Sequence, residues 1–325
     1  MSDFNLLIDG KMVPGDQTMP VLNPATEEVL AQCPRASRSQ LDEAVAAAKA
    51  AFPAWAATPI EERRKLVIKM AEAIEANTNE LAQVMASAAQ TLKRITLELG
   101  GNDAGIVLDD VDPKKVAPGI FEGAFQNSGQ VCLAIKRLYV HESVCDRICD
   151  ELVAIAKSTI VDDGSKQGTK LGPLQNKMQY EKVKGFLEDA RKNGNIIAGG
   201  SAMDRPGYFI EPTIVRDIKE GSKLVDEEQF GPVLPVIKYS DNDDVIRRAN
   251  ASTYGLGASV WSSDTARAHK VASQIEAGTV WINKHLDMAP HIPFGGAKQS
   301  GIGTEFAEEG LAEFTQLQII NEART

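Results

Sequence analysis

Between residues 95 and 283, short apolar runs alternate with longer segments of helical periodicity, and this alternation narrows the fold more than any other feature of the chain. Runs at 95–99, 104–108, 136–141, 209–215, 233–239, 257–262 and 278–283 read as strands. Segments at 114–126, 143–158, 176–192, 242–250 and 264–276 read as helices. A helix between two strands is too long a connection for a hairpin and returns the second strand parallel to the first. The expectation is an α/β fold on an open, mostly parallel sheet. A short helix at 305–313 and an apolar strand, Leu317 to Ile320, close the chain.

The first ninety residues read differently. Residues 6–13 form a hairpin with Asp9-Gly10 at its turn, and Asn23-Pro24 marks a second turn. Ser39 caps a helix whose apolar positions are Leu41, Val45, Ala48 and Phe52. Thr58-Pro59-Ile60-Glu61 starts another, with Leu66, Val67, Met70 and Ile74 on its face. A helical pattern from 79 to 94 carries Leu81, Val84, Met85, Ala88 and Leu92. The expected division is 1–97, 98–304 and 305–325.

Composition narrows the function classes. At 325 residues with 43% hydrophobic side chains the chain builds an ample core. A net charge of −10 argues against a nucleic-acid partner. No apolar run reaches the ~18 residues of a membrane span, and the acidic start lacks a signal-peptide pattern. Four cysteines, Cys33, Cys132, Cys145 and Cys149, are too few for a disulfide scaffold. Free thiols and a cytoplasmic location are expected.

Three glycine-rich segments stand at element ends: Leu97-Glu98-Leu99-Gly100-Gly101-Asn102-Asp103, Phe125-Gln126-Asn127-Ser128-Gly129-Gln130-Val131-Cys132, and Pro293 to Gly303. Cys132 with Glu98 is a nucleophile with a general base. Residue type alone favours a buried structural cysteine and a solvated or capping carboxylate over that pair. Cys145 and Cys149, one turn apart on a helix, read as packing residues rather than metal ligands, and His285, Asp287 and His291 as loop polarity or substrate contacts. No metal is expected.

The glycine segments belong to a longer series. The chain resembles the aldehyde dehydrogenase superfamily at Ile8-Asp9-Gly10-Lys11, Asn23-Pro24-Ala25-Thr26, the Glu98 and Cys132 motifs, and Leu171-Gly172-Pro173-Leu174. The resemblance continues through Glu227-Glu228-Gln229-Phe230-Gly231-Pro232, Tyr254-Gly255-Leu256, Gly278-Thr279-Val280-Trp281-Ile282-Asn283 and Pro293-Phe294-Gly295-Gly296. It implies that Cys132 attacks an aldehyde, that hydride leaves to NAD(P)+, and that Glu98 activates the water that hydrolyses the thioester. It implies a cofactor contact for Glu228, Phe230 and Gly100, and an oxyanion donor in the Cys132 backbone N–H. The implied fold is an aldehyde-dehydrogenase-like catalytic domain with a reduced N-terminal hairpin-and-helix segment, and the implied assembly is a homo-oligomer. The implied substrate is a small aldehyde. A cofactor-independent cysteine esterase and a non-enzymatic scaffold are the alternatives.

The resemblance also shows a gap. Near residues 84–85 the sequence passes from the family's early helices to the last helix of its cofactor domain. The Pro-Trp-Asn strand end, the lysine-bearing strand and the Gly-Ser-Thr loop have no counterpart, and no Gly-x-Gly-x-x-Gly replaces them. Very weak affinity for NAD(P)+ is the expectation.

Overall fold

The computed structural model describes residues 4–59, 61–66, 68–69, 96–316 and 318–322. The chain divides into two compact units, Met1–Asn23 with Glu28–Lys93, and Pro24–Glu27 with Arg94–Thr325.

In the first unit, β1 (Leu6–Ile8) and β2 (Lys11–Val13) form the expected hairpin. Asp9 and Gly10 have φ of 50° and 71°, the two left-handed residues a tight hairpin turn requires. A second hairpin, β3 (Gln17–Leu22) and β4 (Val29–Arg35), is antiparallel and flanks the Asn23-Pro24 turn. Helix α1 spans Arg38–Ala57. Its cap is Ser37, not Ser39: the Ser37 hydroxyl accepts from Gln40 N and the Gln40 side chain accepts from Ser37 N. Thr58 closes α1, and residues 61–66 and 68–69 are helical again after Pro59. The expected apolar face of α1 is exposed, with Leu41 at 52% and Phe52 at 64%. Val67, Met70, Ile74 and the pattern at 79–94 lie outside the described residues.

The second unit holds the α/β fold. Its elements run β5 (Leu97–Glu98), β6 (Asp103–Val107), α2 (Pro113–Phe125), β7 (Ile135–His141), α3 (Glu142–Ser158), α4 (Lys177–Asn193), β8 (Asn195–Ala198), β9 (Thr213–Arg216) and α5 (Lys223–Asp226). β10 (Val233–Tyr239), α6 (Asn242–Asn250), β11 (Tyr254–Gly255), β12 (Gly257–Trp261), α7 (Thr265–Ala272), β13 (Thr279–Ile282), β14 (Ala297–Lys298), β15 (Gly301–Ile302) and α8 (Ala307–Ala312) follow. Seven strands form one sheet in the order β13-β12-β6-β7-β10-β9-β8. Every pairing is parallel except β8 with β9.

Both faces of the sheet are covered, as parallel sheets require. One cluster joins Phe121, Phe125, Ile148 and Leu152 to Val107, Leu138 and Val236. The other joins Phe186, Leu187, Val245 and Val271 to Ile106, Tyr139 and Val260. Of the expected C-terminal strand, Leu317 lies outside the described residues, and 318–320 pair with no edge among the described residues. Ile319 and Ile320 are 79% and 87% exposed. Among the described residues no helix is long and apolar enough to cross a membrane.

Candidate active site

The three glycine-rich segments converge where the chain enters β6 and β7, at the amino edge of the sheet. The first and third pair directly. Glu98 faces Gly301 and Leu97 faces Ile302 in an antiparallel ladder, extended by Leu99 N donating to Ser300 O at 2.9 Å. The first and second meet backbone to backbone. A Cβ on Gly101 would lie 2.5 Å from the Cys132 carbonyl oxygen, and one on Gly100 would lie 2.4 Å from Glu228 Oε2. Only glycine permits that approach.

The Cys132 loop is shaped by consecutive left-handed residues, Asn127, Ser128 and Gly129, with φ of 51°, 57° and 73°. Ser128 Oγ donates to Gly172 O at 2.8 Å, and Gln130 Oε1 accepts from Gln175 N at 2.8 Å. From α4, Gln179 Nε2 donates to the carbonyls of Gln229 and Phe230 at 2.9 and 2.8 Å. This fixes the segment that carries Glu228.

Glu98 and Cys132 line the same cleft. Burial first, then the neighbouring Glu98 carboxylate, push the thiol up to about 12. Cys132 is partly buried and packs against Leu133, Trp281 and Phe294. Glu98 is exposed. A cleft of about 540 Å³ opens over the pair and is also lined by Gly100, Gln130, Gln179, Lys182, Glu228 and Phe230. All five sequence candidates therefore border one cavity. A protonated thiol and a carboxylate that share an open cleft can act chemically as a nucleophile and the acceptor of its proton.

Glu228 is committed within the chain. Its Oε1 accepts from Gly101 N at 3.0 Å and lies 3.3 Å from Lys136 Nζ. Lys136 escaped the sequence reading, as did Gln179 and Lys182. The available signal was a basic residue inside the apolar run of β7, a central strand covered on both faces. Behind it, Asp103 is buried and, among the described residues, its two carboxyl oxygens have no hydrogen-bond partner. Burial raises that carboxyl to about 8, against an opposing pull from Lys136.

The remaining candidates separate. Cys145 and Cys149 are buried in the core and Cys33 lies on β4. His285 Nε2 donates to Leu133 O at 2.6 Å, and burial pushes the ring down to about 4, so it is neutral. Asp287 pairs with Lys284. Among the described residues no three of His, Cys, Asp and Glu gather as a metal site.

The chain is similar to known proteins along most of its length. The family model described as "Aldehyde dehydrogenase family" matches residues 12–87 and 82–320. A mitochondrial aldehyde dehydrogenase of Leishmania tarentolae is 43% identical over 241 residues, 74% of this chain and 48% of that protein. A betaine aldehyde dehydrogenase of Brucella anthropi is 40% identical over 73% of this chain and 50% of its own length. The chain thus spans about half the length of the curated relatives it matches. The NAD+ complex of an aldehyde dehydrogenase from Bacillus cereus superposes with a TM-score of 0.89 at 26% identity, over 97% of this chain and 95% of that one. That structural alignment runs nearly end to end along both chains, as an internal deletion requires.

Proposed function

The chain belongs to the aldehyde dehydrogenase family, with most of the NAD(P)-binding domain absent at a join within residues 82–87, and from that premise we propose that it performs acyl transfer through a covalent intermediate on Cys132. The observation that carries this reading is that the Cys132 thiol and the Glu98 carboxylate line one open cleft. The substrate is a small activated ester or an aldehyde.

With an ester, the thiol passes its proton to Glu98 as sulfur bonds to the carbonyl carbon, and the Cys132 backbone N–H meets the oxyanion. The alcohol leaves with the proton held on Glu98, and the acyl group stays as a thioester. Glu98, ionised again, takes a proton from water. The water oxygen attacks the thioester, the acid departs and the thiol recovers its proton. Each carboxylate protonation is reversed within the cycle, so no further reactant is needed.

Aldehyde oxidation is the family's reaction and needs a hydride acceptor. The residues fit NAD(P)+ at its nicotinamide end only. Lys182, Phe230 and Glu228 line the same cleft as Cys132, but Glu228 Oε1 is already engaged. No Gly-x-Gly-x-x-Gly occurs in the sequence to cradle a pyrophosphate. Ester hydrolysis is therefore the activity these residues support unaided.

The apolar, exposed residues near 319–320 favour assembly with a second copy, read by light scattering. The four free thiols favour a reducing, cytoplasmic setting. The test of function runs two assays on one preparation, p-nitrophenyl acetate hydrolysis and NAD(P)H formation from a panel of aldehydes. Hydrolysis that disappears in Cys132→Ser is the expected result. Hydrolysis unchanged in Cys132→Ser rejects the assignment.

A further inference from the structure

Lys136 is almost wholly buried on a central strand, with 2% of its side chain exposed. A lysine there is costly unless every proton on its nitrogen finds an acceptor. Its Nζ donates to Val131 O at 2.8 Å and to Cys132 O at 2.6 Å, and faces Glu228 Oε1 at 3.3 Å. Three acceptors match three donors. Glu228 in turn accepts from Gly101 N, in the segment that carries Glu98. One buried ion pair therefore ties together the nucleophile loop, the Glu98 segment and the approach to β10.

We propose that Lys136, paired with Glu228, is a positioning residue that holds the Cys132 loop against Glu98 and supplies the positive charge the Cys132 thiolate requires. The proposal rests on Cys132 being the nucleophile and adds what makes that cysteine usable. An ammonium group acting from beneath the loop favours thiolate over thiol, and Glu228 tempers it by pairing with the same charge. The groups that face this centre are few. Glu98 comes from β5, Asp103 from β6, Arg137 from β7, Glu228 from the approach to β10, and neutral His285 from the loop after β13. Lys182 lines the outer cleft from α4.

The two partners have opposite expected effects, which a purely structural role would not produce. The experiment follows the rate of Cys132 alkylation by iodoacetamide between pH 7 and 10, mapped to the Cys132 peptide by mass spectrometry. It uses the full chain as parent, Lys136→Met and Glu228→Gln, each checked for folding by circular dichroism. Lys136→Met is expected to slow alkylation about tenfold or more near pH 7, the effect of moving the thiol by about one pH unit, and the difference should shrink toward pH 10 because burial holds the Lys136 ammonium below its ordinary value. Glu228→Gln is expected to speed it, because the ammonium is left uncompensated. Should Lys136→Met fail to fold, Glu228→Gln decides alone. Rates equal to the parent, or both variants shifted in one direction, overturn the proposal. Alkylation does not depend on turnover, so hydrolysis persisting in Cys132→Ser would defeat the functional reading without being confused with failure here.

Discussion

Replacing Glu98 with glutamine should drive the two halves of the chemistry in opposite directions. The Glu98 charge opposes the thiolate, while burial makes the larger contribution. Together they hold the thiol at about 12. At pH 8 such a thiol is ionised in roughly one molecule in 10⁴, since each pH unit is a factor of ten. Glutamine keeps the volume and removes the charge. Burial remains, so only part of the rise is released. A release of about one pH unit gives about tenfold more thiolate. Iodoacetamide consumes the thiolate, so Glu98→Gln should be alkylated about tenfold faster than the parent at pH 8. Ester hydrolysis should fall by ~10²–10⁴-fold, because the attacking water has lost its base. Both rates are measured on the same two preparations, alkylation by mass spectrometry and hydrolysis by p-nitrophenol release. If alkylation slows in step with hydrolysis, Glu98 generates the resting thiolate instead of suppressing it, and the electrostatic argument is wrong.

Three further outcomes follow from the same geometry. Gly101→Ala places a Cβ 2.5 Å from the Cys132 carbonyl oxygen, so it should cost about 1–3 kcal/mol in urea unfolding and abolish hydrolysis; parental stability and rate would contradict the close approach. Asp103 keeps its proton in the fold up to about pH 8, whereas the unfolded chain releases it near the ordinary carboxylate value. The fold thus binds more protons between about pH 4 and 8, and its stability from this group falls as pH rises through that window, by at most ~1.4 kcal/mol per pH unit. Asp103→Asn should remove that slope; an unchanged difference between variant and parent at pH 5 and pH 8 would speak against it. Calorimetry should detect no micromolar binding of NAD+ or NADP+, and a micromolar constant would mean that residues outside the Cys132 cleft hold the dinucleotide.

Glu98 and Cys132 stood out in the sequence as a carboxylate and a thiol in glycine-rich segments, whereas Glu228 and Phe230 came from the family resemblance alone; the structure brings all four to one cleft. The mostly parallel sheet followed from the alternation of strands and helices, but the strand order did not, because it depends on pairings between segments far apart in the chain. Lys136 was missed because sequence spacing says nothing about which acceptors a buried ammonium meets. Its partners come from residues 131, 132 and 228. Ser37 rather than Ser39 caps α1 because Gln40 stands three residues after it and closes a capping box. The β3–β4 hairpin went unread because its strands are polar or exposed on both faces and carry no alternation. The strand expected at Leu317 to Ile320 depends on a neighbouring edge, and among the described residues none pairs with 318–320.

The central claim is that Cys132 carries the acyl group. Glu98→Gln protein treated with p-nitrophenyl acetate should accumulate one acetyl group, found by peptide mapping on Cys132 and absent from Cys33, Cys145 and Cys149, with a matching burst of p-nitrophenol. An acetyl group on another residue, or no adduct beside continued hydrolysis, would contradict it.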